Sequence, residues 1–272
     1  MSRNQLDTEK LARNVRLRAL MMVYRARASH IGSALSICDI LAVLYGKVLR
    51  FDPRNPAHPL RDRFILSKGH ACTALYGTLA EVGFFPISDL DTYGNDHSVF
   101  MNHVSHKVPG VEFSTGSLGH GLPFGVGKAV AARLGGDTWR TFVLMSDGEL
   151  GEGSNWEAFM FAAHHKLETL VAVIDYNKLQ SLDTVENTLG IEPLAAKAEA
   201  FGWATRSVDG HDHIAIEDAL THLPWIKGKP SLLITHTTKG KGVSFMENSL
   251  EWHYKSPSHE QVEQALLELD CA

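Results

Sequence analysis

The chain has 272 residues, 44% of them hydrophobic and 21% charged, which is the composition of an ordinary globular protein and not of a disordered or fibrous one. A net charge of -5 removes the electrostatic reason to expect nucleic acid or an anionic membrane as partner. No apolar run approaches the roughly 18 residues of a membrane span, and the polar start MSRNQLDTEK lacks the apolar core of a signal peptide. The cysteines Cys38, Cys72 and Cys271 stand far apart with no C-x-x-C pair, as expected of reduced structural thiols in a cytoplasmic protein.

Apolar residues at Leu11, Val15, Leu20 and Val23 recur at helical spacing and predict a helix across 6–28. A second helix is expected across 36–49, with Ser36 as its N-cap. After the proline-rich loop DPRNPAHPLRDR, the short apolar run FILSKGHA turns at Ser67-Lys68-Gly69-His70 into another helix. The stretch 83–118 is irregular, and a loop that long in a compact domain is usually functional or disordered. GSLGHGLPFGVGKAVAARLGG begins glycine-rich and becomes helical. A strand at 141–147, a helix in EGSNWEAFMFAAHHK and a strand at 169–175 form a unit long enough for a parallel crossover. ATRSVDG and PSLLITHTT read as two further strands with a helix at 214–223 between them. The alternation predicts one α/β domain over 1–272, with a parallel sheet covered by helices on both faces.

Ligands of such sheets bind at the carboxyl ends of the strands. Asp147-Gly148, Asn177, His70 and the Thr237–Gly240 turn all fall at such ends. The Walker pattern fails, because Leu122 stands where its first glycine belongs and Ala129 follows Gly127-Lys128. Gly116 to Gly121 is G-x-x-G-x-G, not the dinucleotide fingerprint, and no clear strand precedes it. Asp147 and Asn177 are oxygen donors at neighbouring strand ends, thirty residues apart, and oxygen-only donors suit Mg²⁺ or Ca²⁺ over zinc. Either residue alone reads more readily as a turn cap than as a metal ligand. Only the pair points to a metal.

SDGELGEGSNWEA followed by VIDYNKLQSLD is similar to the thiamine-diphosphate motif. With ASHIGSALS, SKGHA, the histidine ahead of VPGVEFSTGSLGHGL, and TTKGKGVSFMENSLEWH in the same order, nearly the whole chain resembles the first half of transketolase. The resemblance implies a thiamine-diphosphate-binding fold. It implies Mg²⁺ held by the Asp147 and Asn177 side chains and the Leu179 carbonyl, with Ca²⁺ or Mn²⁺ able to substitute. Gly148 would give its N–H to the diphosphate, and His70 and His253 would also touch the cofactor. Gly116 and Leu118 would set backbone around the aminopyrimidine. His30 and His253 would exchange protons with donor and acceptor, and His103 would hold the donor's terminal hydroxyls. Glu152 and Glu157 would join a carboxylate network at a subunit interface that reaches the aminopyrimidine. Glu149 matches no functional position and is expected at the surface. His120 would be a marginal lining residue. His97, His106, His164 and His165 gain no support.

Three positions depart from the family pattern. Ser146 replaces the first glycine of the metal motif, Tyr176 stands where many transketolases carry a second acid, and Ser181 replaces an apolar residue near the thiazolium. The largest departure is length, since a full transketolase is more than twice as long. The absent portion would include the pyrimidine-binding domain with its activating glutamate, the C-terminal domain and the sugar-phosphate contacts. The expectation is therefore the N-terminal subunit of a split transketolase, two copies of each chain forming a heterotetramer, that transfers a two-carbon ketol unit between sugars or sugar phosphates. A split 2-oxo acid decarboxylase or dehydrogenase component and a non-catalytic cofactor-binding module are the alternatives. The hydroxyl-binding histidines His30 and His103 speak against the first.

Overall fold

Five apolar runs become strands: β1 (Arg63–Leu66), β2 (Thr141–Ser146), β3 (Leu170–Tyr176), β4 (Ala204–Asp209) and β5 (Ser231–His236). In the computed structural model, which describes residues 5–270, they form one sheet in the order β1-β2-β3-β5-β4. All four pairings are parallel. Cys271 lies outside the described residues. Every residue of β2 and β3 is buried, as in strands covered on both faces. Strand β4 is the polar edge, where Arg206 and Ser207 face solvent and make a poor template for further pairing.

The register decides where the function can sit. Ser146 pairs with Asp175, and Tyr176 pairs with His236. The residues that follow, Asp147, Asn177 and Thr237, therefore leave the sheet side by side at one edge.

Helices α1 (Thr8–Ala26), α2 (Ile31–Leu35), α3 (Cys38–Val43) and α4 (Cys72–Glu81) cover one face with α9 (His213–Thr221) and α10 (His259–Asp270). Helices α5 (Gly121–Gly135), α6 (Gly153–His164) and α8 (Leu194–Phe201) cover the other, with the short α7 (Val185–Thr188) at its margin. Asp7 caps α1 by accepting from Lys10 N at 3.0 Å, and Asp212 caps α9 through Ile214 and Ala215. The long irregular stretch holds a two-turn 3-10 segment, Ile87–Thr92, among the described residues.

Two details differ from the sequence reading. The helix expected across 36–49 forms as α3 followed by a π turn at Leu44–Val48, and the separate short α2 ends just before it. Ser36 caps no N-terminus: it ends α2, and its hydroxyl donates to Ser33 O at 3.0 Å and to Asp175 Oδ2 at 2.8 Å. A serine with a buried carboxylate in reach spends its hydroxyl there. The strand ends also shift by one residue, so Asp147 stands just past β2 and Tyr176 belongs to β3.

At the opposite edge, Asp62 is buried between Arg50 and Arg140, with Nη2 contacts of 2.8 and 2.6 Å. It also accepts from the Arg140 backbone N at 2.8 Å, tying the entries of β1 and β2. Burial alone would raise its pKa, but the hydrogen bonds and charges of Arg50 and Arg140 outweigh burial and hold it below the ordinary carboxylate range. A depressed carboxylate contributes stability that is present above its unfolded pKa and lost as pH falls through the folded one. Asp62→Asn should lower the unfolding free energy by about 3 kcal/mol at neutral pH. In urea unfolding the deficit should shrink as pH drops below the ordinary value of about 3.9. A deficit unchanged across that window would refute the assignment.

Candidate active site

The strand ends and the segments around them enclose a cavity of about 290 Å³. His30, His70, His103 and His253 all line it, together with Gly116, Leu118, Asp147, Gly148, Asn177 and Leu179. These ten sequence-predicted residues come from separate segments of the chain, and the fold brings them together.

The histidines form one cluster. The His30 ring centroid lies 5.2 Å from His70, 5.9 Å from His103 and 5.0 Å from His253. His30 has a left-handed backbone, φ 72°, uncommon for a side chain of its size. A 2.8 Å hydrogen bond from its N–H to His253 O holds it there. Strain of this kind persists only where the surroundings enforce it, and it gathers at functional sites. Burial lowers the His30 pKa to about 4, with His103 and Lys239 adding to the effect. Burial, then Lys239 and His30, lower His253 to about 3. His70 is pushed well below its ordinary value by burial and by Lys68, and His103 is lowered by desolvation. All four rings are therefore neutral near pH 7, each with one N–H and one lone pair. For His253 the tautomer follows from its neighbour. Lys239 Nζ lies 3.1 Å from Nδ1, and an ammonium can only donate, so the ring proton is on Nε2.

Beside the histidines is the acidic corner. Asp147 is 1% exposed, and its oxygens accept from Gly148 N at 2.7 Å and Lys178 N at 2.5 Å. Burial, and then the charge of Asp175, raise its pKa to about 7. Among the described residues no cation pairs with it. A buried carboxylate in that condition lacks a positive charge, which a dication would supply. Asn177 Nδ2 donates to Asp175 Oδ2 at 2.8 Å, and its Oδ1 accepts from Leu179 N at 3.1 Å. Asp147, the Asn177 carbonyl oxygen and the Leu179 carbonyl make an all-oxygen set of the hard type that Mg²⁺ takes. In this structure the Gly148 N–H is turned to its own neighbour's carboxylate, and Leu179 O accepts from Lys239 at 3.3 Å.

Other expectations fare differently. Glu149 is not at the surface. It is 0% exposed, accepts from Ser67 Oγ, from Gly119 N at 2.9 Å and from Ser146 N at 3.3 Å, and ties β1, β2 and the glycine segment together. Burial raises its pKa despite these donors. The glycine segment needs its glycines: Gly119 has φ 83°, and a Cβ there would lie 2.6 Å from the Glu152 Cβ. His120 is exposed and does not line the cavity. Glu152 and Glu157 are exposed on and beside α6, outside the cavity. Tyr176 donates to Glu192 Oε1 at 2.5 Å, while Ser181 does line the cavity.

Sequence reasoning passed over Lys68, Lys239 and Asp175. Lys68 Nζ pairs with Asp175 at 2.5 Å and donates to Ser33 O at 3.0 Å. Both lysines stand beside glycines at strand ends, and Asp175 interrupts an otherwise apolar strand. Those signals were present in SKGHA, TTKGKG and VIDYN.

Residues 7–269 match the family model described as transketolase, thiamine diphosphate binding domain. The chain belongs to the transketolase family. It is 43% identical over 266 residues to one of the named subunits of the apulose-4-phosphate transketolase of Phocaeicola vulgatus, covering 97% of this chain and 95% of that one. It is 39% identical to the 6-deoxy-6-sulfo-D-fructose transketolase subunit SqwG of a Clostridium species, covering 99% and 98%. Among solved structures it matches the transketolase of Leishmania mexicana with a TM-score of 0.92 at 29% identity, and that of Campylobacter jejuni with 0.91 at 31%. It covers 98% and 97% of itself in these matches but only 42% of either solved transketolase chain.

The buried hub and the exposed acid make a direct comparison. Glu149→Ala leaves Ser67, Gly119 and Ser146 donors unpaired in the interior and should lower stability by about 3 kcal/mol. Glu152→Ala should stay within about 0.5 kcal/mol. Denaturant midpoints of the two variants decide it, and equal midpoints would contradict the burial of Glu149.

Proposed function

We propose that this transketolase-family chain is the cofactor-gripping half of a two-chain enzyme that moves a two-carbon ketol unit from a ketose donor to an aldose acceptor. The observation that carries the reading is the meeting of four neutral histidines with an oxygen-donor corner in one cavity. Relatives of matching length are themselves named as transketolase subunits, and their names refer to sugars carrying a phosphate or a sulfo group. A donor bearing an anionic group is the corresponding choice here.

Asp147, Asn177 and Leu179 would hold Mg²⁺, and the Gly148 N–H would turn to the diphosphate. Lys68, Lys239 and His70 would supply positive charge and donors around it. Bound thiamine diphosphate supplies the nucleophilic carbon and the electron sink. The protein supplies grip and proton traffic. A donor hydroxyl must lose its proton as the carbon–carbon bond breaks, and the acceptor oxygen must gain one as the new bond forms. Neutral His30, with a lone pair, suits the first task and can return the proton for the second, while His253, its Nδ1 lone pair taken by Lys239, offers its Nε2–H to the reacting oxygens. His103, the most open of the four, suits the donor's terminal hydroxyls.

A second chain would bring the pyrimidine-binding and C-terminal domains, with two copies of each chain in the assembly. Exposed Met160 and Phe161 on α6, beside Glu157, support a surface of that helix as a contact between copies. No helix of the described residues is long and apolar enough to cross a membrane. The free thiols of Cys38 and Cys72, both buried, support a reducing, cytoplasmic setting.

Ketol transfer measured with thiamine diphosphate and Mg²⁺, with and without the second chain, tests the reading. Turnover is expected only in the mixture, lost on chelation of the metal and restored by Mg²⁺. Rapid turnover by this chain alone, or no cofactor binding in the mixture, would overturn it. In the active mixture His103→Ala should cut turnover roughly 100-fold, the scale of lost substrate positioning, while cofactor affinity holds. Asp147→Ala should instead abolish Mg²⁺-dependent cofactor binding.

A further inference from the structure

On the far side of the turn that carries Lys239 lies a second cluster that the proposed chemistry does not use. Asp39 of α3 is 5% exposed. It takes the Arg16 guanidinium on both oxygens, at 3.0 and 2.5 Å, His211 Nδ1 at 2.7 Å and His213 Nε2 at 3.0 Å. Burial acts to raise its pKa, but the His211, His213 and Arg16 contacts outweigh it and keep the carboxylate ionised.

Two of these partners reach onward. His211 Nε2 receives the Thr238 N–H at 2.8 Å. A backbone N–H only donates, so Nε2 is bare and the ring proton sits on Nδ1, facing Asp39. Arg16 Nε donates to Lys241 O at 3.1 Å. The two arms of one carboxylate thus end on residues 238 and 241 of a single tight turn. Gly240, between them, has φ 82°, and a Cβ there would lie 2.2 Å from Met246 O. Lys239 leaves this turn in the other direction. Its ammonium reaches Gln180 O at 2.8 Å, Leu179 O at 3.3 Å and His253 Nδ1 at 3.1 Å, inside the cavity.

We propose that Asp39, through His211 and Arg16, clamps the 238–241 turn at both ends and so aims the Lys239 ammonium into the active-site cavity. His211 is then a positioning residue for anion binding there, a role that rests on the reading of this cavity as a thiamine-diphosphate site. Lys239 is a flexible side chain, and a fixed backbone lowers the ordering that binding would otherwise demand of it. His213, held to Thr8 Oγ1 at 2.8 Å, braces Asp39 from α9 without touching the turn.

The test is a double-mutant cycle on the two-chain complex, read as the dissociation constant for thiamine diphosphate with Mg²⁺ in equilibrium dialysis. His211→Leu should weaken binding roughly tenfold, the lower end of what an outer hydrogen-bond partner contributes. His211→Gln keeps an acceptor for Thr238 and a donor for Asp39, and should recover most of the loss. In a Lys239→Met background His211→Leu should cost nothing more. An equal loss in both backgrounds, or a Gln variant as weak as the Leu variant, would overturn the clamp. If His211→Leu does not fold, Arg16→Lys takes its place in the cycle, because it keeps the charge beside Asp39 and loses the Nε donor. Amide exchange of the 237–242 segment in the full chain gives a readout independent of the cofactor. Exchange should quicken in His211→Leu and not in His211→Gln, and equal exchange in both would count against the proposal. Should the wild-type complex bind no thiamine diphosphate, the cofactor reading falls, and exchange alone decides the clamp.

Discussion

Asp175 is a carboxylate shut away from water with donors turned towards it from four parts of the chain. Lys68 reaches it from the turn after β1, Ser36 from the end of α2, Asn177 from just past β3, and Thr237 from just past β5. Removing a carboxylate and an ammonium from water costs several kcal/mol each, and the pair repays that only when the remaining lone pairs and protons are also satisfied. Here they are. Burial pushes Asp175 up, yet the charge and hydrogen bond of Lys68, then Thr237 and Ser36, bring it below its ordinary value. The loops at the carboxyl edge of the sheet are consequently not free to arrange themselves one at a time. Asn177 is held at both ends of its amide, its nitrogen by Asp175 and its oxygen by the Leu179 N–H.

Charge around the cavity is arranged in alternation. Lys68 neutralises Asp175, and Asp175 in turn raises Asp147. Lys239, lowered to about 8 by burial and by Lys68, is still charged at neutral pH and faces His253. Burial, with the positive groups adding to it at His30, His70 and His253, keeps the histidines deprotonated, and the acids keep the corner short of a cation. Both consequences suit a site that binds a dication with an anionic cofactor and passes protons at neutral imidazoles.

How much of this was legible depends on whether a residue advertises itself locally. The strands at 141–147 and 169–175 were readable because a continuous apolar run of that length has few other uses, and their limits moved by only one residue. Asp147 and Asn177 were readable as strand-end oxygens, and the histidines through the motifs around them. Glu149 was misread because sequence shows an acid after a turn and cannot show that Ser67, Gly119 and Ser146 converge on it from 82, 30 and 3 residues away. Ser36 was misread for a related reason: its spacing suited a cap, and its real partner is 139 residues distant. The Asp39 cluster was invisible for the same cause, since Arg16 and His211 stand near opposite ends of the chain and meet only through a carboxylate on a third element. Periodicity reports local structure, motifs report what a site repeats, and neither reports a long-range hydrogen bond.

The acids also bear on the proposal of a second chain. Among the described residues lining the cavity, Asp147 is the one carboxylate, and the proposed metal site uses it. Glu149 is near, but it is sealed from the cavity and its oxygens are taken by three donors. Glu152 and Glu157 point to solvent from α6. Activation of an aminopyrimidine calls for a carboxyl group within hydrogen-bond reach of a ring nitrogen, and among the described residues none is both free and inside. On the proposed reading the group arrives from a surface that closes over the open side of the cavity, where His103 and Tyr254 are exposed. On that reading grip and proton transfer are built into one chain, and the step that makes the cofactor reactive depends on contact with another.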